Sequence, residues 1–359
     1  MTTFASKTTH SLDRRGVLRG AAAGGVALAA GGRAVQADPK VLNIAAFGGV
    51  INDYLIKVFA EPYEAKTGVK VNFGTGASLA LAKLQRAPAQ WDIVLLSGAE
   101  YIEAVEQKII VPYDYNIIGS ANMPPDYKQP YGVKFSLFLF VMAWDKRVIP
   151  DGREPQSWAD FWDTNRYKGK RSLYTNLSDG STLEAALLAD GVPLDKLYPL
   201  DVDRALRSLE RLGRENITWY TTNQEPIQHL TSGASPLADC FNGRVIIANK
   251  AGAQLGFTAA YSAVSGNPYC VLEASANKQE AFRFLDFMLN SPKADADYIT
   301  LTNYAIPNNE ALAMLPQSVL DILPTSPKLK DKVFIKDDAW WGANLTKTTA
   351  KFKEWQLSG

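Results

Sequence analysis

Apolar positions along the chain change their spacing repeatedly, and the changes mark out elements. "VLNIAAF", from Val41, is a nearly unbroken apolar run of strand length that stops at Gly48 and Gly49. From about Ile51 the apolar positions return at helical spacing, and Ile51, Tyr54, Leu55, Val58 and Phe59 form one stripe able to pack on a sheet. Pro62 predicts a kink or interruption in this helix, and Gly68 predicts its end. "VKVNF", "SLALAKLQ", "WDIVLL" and "AEYIEAVEQK" continue the alternation of extended and helical segments. Alternation of this kind predicts a mostly parallel sheet flanked by helices.

"GVKFSLFLFVMAW", from Gly132 to Trp144, reads as a single extended run long enough to cross from one lobe to another. The pattern then restarts with a helix from about Ser157 and a strand near Arg171. Helices follow at "STLEAALLAD" and "DVDRALRSLERLG", short strands at "ITWY", "PLADCF" and "RVIIAN", an extended "NPYCVLEA", and a helical "NKQEAFRFLDFMLNS".

In open sheets of this class, ligands sit outside the carboxyl ends of the strands. The first three such turns here are Phe47-Gly48-Gly49, the segment from Gly74 to Ser78, and Ser97-Gly98. Gly48 and Gly49 allow a tight connection, and they also allow backbone N–H groups to approach a small polar molecule. Ser78 and Ser97 suit two roles equally well, as hydroxyl partners of a ligand or as helix N-caps.

At 359 residues the chain is long for one core and suits two lobes; 47% hydrophobic and 21% charged residues mark it as globular. A formal charge of +1 argues against nucleic acid as the main partner. No apolar run reaches the roughly 20 residues that span a bilayer. His10 and His229 are isolated, so no metal cluster and no cofactor is expected. Cys240 and Cys270 both fall in apolar runs; they suit buried thiols, with a disulfide as the alternative.

Residues 1–37 are read as an export signal. Arg14-Arg15 precede the weakly apolar "GAAAGGVALAAGG", and Val35 and Ala37 fit a cleavage site, the pattern of a twin-arginine leader. Removing five cationic side chains and one acidic one with it shifts the formal charge from +1 to −3. The mature protein is accordingly expected in the periplasm.

Ordered landmarks along the rest of the chain carry a family resemblance. They are "GGVINDYLIKVFAEPYEAKTGVKV", "WDIVLL", "SWADFWDTNRYKGK", "SGASPLADCFNGRV", "NKQEAFRFLDFML", "SPKADADYITLTNYAIPNNEA" and "DDAWWGANLTKTTAKFKEW". In this order they resemble the solute-binding proteins of bacterial ABC importers, specifically the spermidine/putrescine-type group. The resemblance implies two α/β lobes of the type II periplasmic binding protein fold, 38–140 with 268–304 and 141–267 with 305–359. It also implies a small-molecule solute held in the cleft, hinge closure around it, delivery by a monomer to a membrane permease, and no catalysis.

By this resemblance Phe47, Gly48 and Gly49 match the first cleft turn. Trp219 and Tyr220 in "ITWYTTN" fall on the second lobe, where an aromatic face can hold an ammonium group, or can simply be core. Polyamine-binding relatives carry Trp-x-x-Asp where this chain has Phe241 and Arg244. A fixed guanidinium repels an ammonium and suits a carboxylate, unless it is only a solvated charge at a strand end. Asp239, two positions before Phe241, is the remaining acid on that strand face, either an ammonium partner or a surface carboxylate. One acid and one arginine favour an amino-acid-like solute, such as γ-aminobutyrate or an opine, over a diamine.

Three rivals remain open at this point. A sensor for a membrane receptor needs the same closing motion. A ferric or anion carrier would need closely spaced tyrosines that "ITWYTTN" and "TAAYSAV" do not supply, and an enzyme would need a nucleophile elbow, a dinucleotide fingerprint or a phosphate loop, none of which the sequence contains.

Overall fold

The computed structural model describes residues 41–123 and 128–358; the expected export signal lies outside them. Among the described residues nine strands form one sheet: β1 Val41–Ala45, β2 Lys70–Gly74, β3 Ile93–Leu95, β4 Val133–Asp145, β5 Arg171–Tyr174, β6 Ile217–Tyr220, β7 Leu237–Phe241, β8 Leu255–Val271 and β9 Phe334–Ile335. Their order is β2-β1-β3-β8-β4-β7-β5-β6, with β9 on β8. Pairing is parallel among β1, β2 and β3 and again among β5, β6 and β7, while β4 and β8 run antiparallel to each other and to their outer neighbours.

The sheet therefore has two parallel halves, joined by two long central strands. β8 meets β3 through Tyr269–Val271 and β4 meets β7 through Phe140–Trp144, so each long strand runs from one half into the other. β4 is the expected crossing run. β8 is longer than its sequence suggests, because Gly256, Gly266 and Pro268 interrupt its apolar pattern without breaking its pairing.

The first helix is continuous where an interruption is expected. Val50–Leu55 passes through a π-helical turn, Ile56–Ala60, into Glu61–Thr67. Pro62, which has no N–H to donate, comes just after the π-helical turn, so the expected interruption takes the form of a local change of helical winding and not of a break. Gly68 ends it at φ 73°, its N–H bonded to the Glu64 carbonyl at 2.8 Å. Leu55 and Phe59 of the predicted stripe are fully buried.

"RVIIAN" is helical and not a strand. It belongs to Asn242–Lys250, which starts directly from β7. Tertiary packing overrides the β-branched composition here: a Cβ at Gly243 would lie 2.5 Å from the Thr302 carbonyl oxygen, and Asn242 bonds Asn303 and receives the Leu139 N–H.

Fully buried Phe135 from β4 packs on Phe59 and Tyr298, while Phe138 and Phe140 of the same strand pack edge-on to Phe241. Each such side chain contributes about 1.5–3 kcal/mol by leaving water. Cys240 and Cys270 are free and buried, in different halves of the sheet. No described helix is long and apolar enough to cross a membrane.

Candidate functional site

A cavity of about 700 Å³ is lined by Phe47, Gly48, Gly49, Tyr174, Thr221, Thr222, Asn223 and Arg244. A smaller recess of about 50 Å³ shares Phe47, Gly48, Asn223 and Arg244 with it. The recess is closed by Phe138, Phe241, Tyr269, Tyr298 and Tyr304, with Asp179, Ser136 and Asn267 as polar members. Its walls come from both halves of the sheet and from the crossing strands.

The glycine turn is shaped by Asn52, whose Oδ1 accepts the Gly48 N–H at 3.1 Å while its Nδ2 donates to the Gly74 carbonyl at 3.1 Å. Gly48 and Gly49 have φ of 85° and 69°, a region that favours glycine. Size matters as well. A Cβ at Gly49 would lie 3.3 Å from Arg244 Nη1, so the absence of a side chain leaves room for the guanidinium against the turn. Phe47, 39% exposed, forms the outer wall.

Arg244 is not a solvated strand-end charge. It sits in the first turn of the helix after β7, only 7% exposed, its Nε has no hydrogen-bond partner, and no carboxylate among the described residues pairs with it. Its positive charge faces Tyr298 and Tyr304, opposing the rise that burial gives their phenols, which for Tyr298 reaches about 12. A cationic fork buried without an acceptor is a ready site for an anion.

Asp179 supplies the opposite charge. It lies in the turn between β5 and the helix Thr182–Ala189, is 7% exposed, and has one hydrogen bond among the described residues, from Asn267 Nδ2 to Oδ1 at 3.5 Å. Burial pushes its carboxyl up to about 6, opposed by the charge of Lys336 and by the Asn267 bond.

The expected acid, Asp239, does not line the cavity. It is fully buried and accepts the Tyr174 N–H at 3.4 Å and the Thr182 hydroxyl at 3.2 Å. Burial pushes it up to about 7, and its Oδ1 has no partner. A carboxyl raised in the folded state keeps a proton that the unfolded chain has released, so its stabilising contribution is greatest at low pH and is lost as pH rises toward 7. Asp239→Asn is therefore expected to melt higher than the parent at pH 8 and to lose that margin at pH 5, as scanning calorimetry at the two pH values would show.

Other expected positions are occupied by structural work. Ser78 caps the helix Leu79–Leu84, accepting the Leu81 N–H at 3.1 Å. Ser97 forms a capping box with Glu100 at the start of Gly98–Glu106. Trp219 packs on Phe352 and Trp355 of the C-terminal helix Asp338–Leu357, with ring centroids at 5.4 and 6.2 Å. Tyr220 lies behind the wall: it stacks on Tyr174 at 4.6 Å and donates to the Asp239 carbonyl at 2.9 Å. Phe241 does line the recess, edge-on to Phe138 at 4.9 Å. His229 shares a 2.8 Å hydrogen bond with buried Ser172, and neither lines the cavity. Among the described residues no group of three His, Cys, Asp or Glu could hold a metal ion.

The model of the bacterial extracellular solute-binding protein family matches residues 59–331. The chain belongs to that family. A relative, the gamma-aminobutyric acid-binding protein of Pseudomonas aeruginosa PAO1, is 29% identical over 340 residues, 92% of this chain and 94% of that protein. Among solved structures, the binding protein AgtB from A. tumefaciens R10 in complex with agropinic acid is 27% identical with a TM-score of 0.81, covering 89% of this chain and 99% of its own. An ABC transporter substrate-binding protein from Bradyrhizobium japonicum USDA 110 is 29% identical, also with a TM-score of 0.81, covering 89% and 100%. The family member described here has their α/β fold, a mixed sheet flanked by helices, and the solute-binding role of its family.

Proposed function

We propose that this protein captures an amino-acid-like zwitterion between two lobes in the periplasm and delivers it to an inner-membrane permease. Arg244 takes the carboxylate and Asp179 the ammonium, replacing Asp239 in the role expected of an acid. The observation that carries this reading is that one aromatic recess holds both a guanidinium without a partner and a carboxyl with a single hydrogen bond among the described residues. The named ligands of two relatives, γ-aminobutyrate and agropinic acid, support the same class. A diamine of the spermidine/putrescine type would place one of its cations near Arg244, and the guanidinium cannot release its charge.

The lobes are 38–140 with 268–304 and 141–267 with 305–359, and β4 and β8 carry the hinge. A ligand bound by groups of both lobes favours the closed form, and closure gives the permease a surface to recognise. Arg14-Arg15 direct export by the twin-arginine pathway. The protein acts as a monomer and without a cofactor.

The test is a thermal-shift and calorimetric panel of γ-aminobutyrate, an opine and putrescine. A zwitterion at a hundredfold excess over its Kd stabilises the folded state by about 2.7 kcal/mol, while putrescine leaves the melting temperature unchanged. Tighter binding of putrescine than of any zwitterion would sink the proposal.

A further inference from the structure

Lys336 follows β9 directly and is 3% exposed. Its Nζ donates to the carbonyls of Leu177 at 2.7 Å, Ser178 at 3.1 Å and Gly180, which surround Asp179 in sequence. Three acceptors need three N–H donors, which an ammonium has and a neutral amine lacks. Beneath it, the Trp341 ring lies 4.7 Å from Nζ, and Trp341 Nε1 donates to Glu184 Oε1 at 2.9 Å. The backbone of Lys336 is itself fixed, its N–H bonded to the Val264 carbonyl of β8 at 3.1 Å.

All three donors are therefore used on backbone, and no direct ion pair forms between Lys336 and Asp179. The ammonium grips the turn that carries the carboxyl while leaving the carboxyl free to meet something else. We propose that Lys336 is a positioning residue for ligand selection: it fixes the Leu177–Gly180 turn and keeps Asp179 ionised, so that the recess accepts a cationic end. The proposal rests on the reading that Asp179 receives the ammonium of the solute. The other charges facing this pair are Glu184, Asp338 and Lys134 around Lys336, and Glu100 near Asp179; Tyr174 and Tyr304, also nearby, stay neutral below pH 8. Lys134 is paired with Asp338, so of the two lysines Lys336 is the one without a carboxylate ion pair whose charge acts on Asp179, and Arg244 lines the same recess.

The test has two arms. In the first, carboxyl ¹³C NMR of aspartate-labelled protein follows Asp179 without ligand, with Asp179→Asn assigning the resonance. Lys336→Met is expected to move the Asp179 titration midpoint up by about one pH unit, and Lys336→Arg to hold it near the parent value. Lys336→Gln, which keeps N–H donors for the loop carbonyls but no charge, serves where the Met variant does not fold. An unmoved midpoint in the uncharged variants overturns the proposal. The second arm measures γ-aminobutyrate affinity by calorimetry from pH 5 to 8. Loss of charge at position 336 is expected to weaken binding about threefold at pH 6.5, where a midpoint moved from about 6 to about 7 leaves roughly a third as much ionised carboxylate, and to add nothing in the Asp179→Asn background. An equal loss in both backgrounds would reduce Lys336 to a structural residue and overturn the proposal. Parent-like binding by Asp179→Asn would instead overturn the underlying assignment of Asp179 and the proposal with it, whatever the NMR arm shows.

Discussion

Arg244→Ala is expected to lower affinity for a carboxylate-bearing solute by one to two orders of magnitude while leaving the unliganded protein as stable as the parent, or more so. Charge-assisted hydrogen bonds contribute about 1.5–3 kcal/mol, and each 1.4 kcal/mol is tenfold in Kd. The second half of the expectation separates a ligand group from a structural one. A buried structural arginine is tied to acceptors, as Arg171 is to the carbonyls of Phe161, Gly169 and Asp163, and its loss strands them. Arg244 has no such ties among the described residues, so its removal relieves an unpaired buried charge. Arg244→Lys should rescue poorly, because a point charge does not reproduce a planar fork. Calorimetric titration with γ-aminobutyrate beside an apo melting curve reads both halves. A variant that binds normally, or that melts far lower without ligand, would remove Arg244 from the site.

The contrast between Arg244 and Asp239 shows what the sequence could and could not reveal. The alternation of extended and helical segments was enough to foresee a sheet with flanking helices, and a long apolar run was enough to foresee β4 as a crossing strand. Strand-to-helix turns at carboxyl strand ends pointed to Phe47, Gly48 and Gly49, which do line the cavity. The same rule applied to the turn after β5 leads to Asp179, in "NLSDGST"; the acid was sought on a strand face instead. Alternation gives a face but not its depth. Asp239 shares a face with Phe241, yet it is fully buried and held by the Tyr174 N–H and the Thr182 hydroxyl. Likewise Trp219 and Phe47 are both aromatics near strand ends, and only tertiary packing decides that the C-terminal helix claims Trp219. Ser78 and Ser97 were ambiguous for a chemical reason, since a hydroxyl that caps a helix and one that meets a ligand are the same group in the same place.

Asp179→Asn is expected to weaken binding of γ-aminobutyrate about tenfold or more and to abolish the pH dependence of that binding between pH 5 and 7. In the parent, burial raises the Asp179 carboxyl to about 6 from an ordinary 3.8. A ligand ammonium is attracted only to the ionised form, so affinity falls as pH drops through about 6. The solute's own carboxyl and ammonium titrate outside this window and do not imitate the effect. The sign for folding is opposite. Between about pH 4 and 6 the unliganded native state holds a proton that the unfolded chain has released, so the contribution of this group to stability falls as pH rises across that range. Bound ammonium reverses the trend by favouring the ionised carboxyl, and the gap between liganded and unliganded melting temperatures should therefore widen from pH 5 to 7 in the parent and stay level in the Asn variant. A gap that widens equally in both proteins would mean that another group titrates with the ligand, and Asp179 would lose its assigned role.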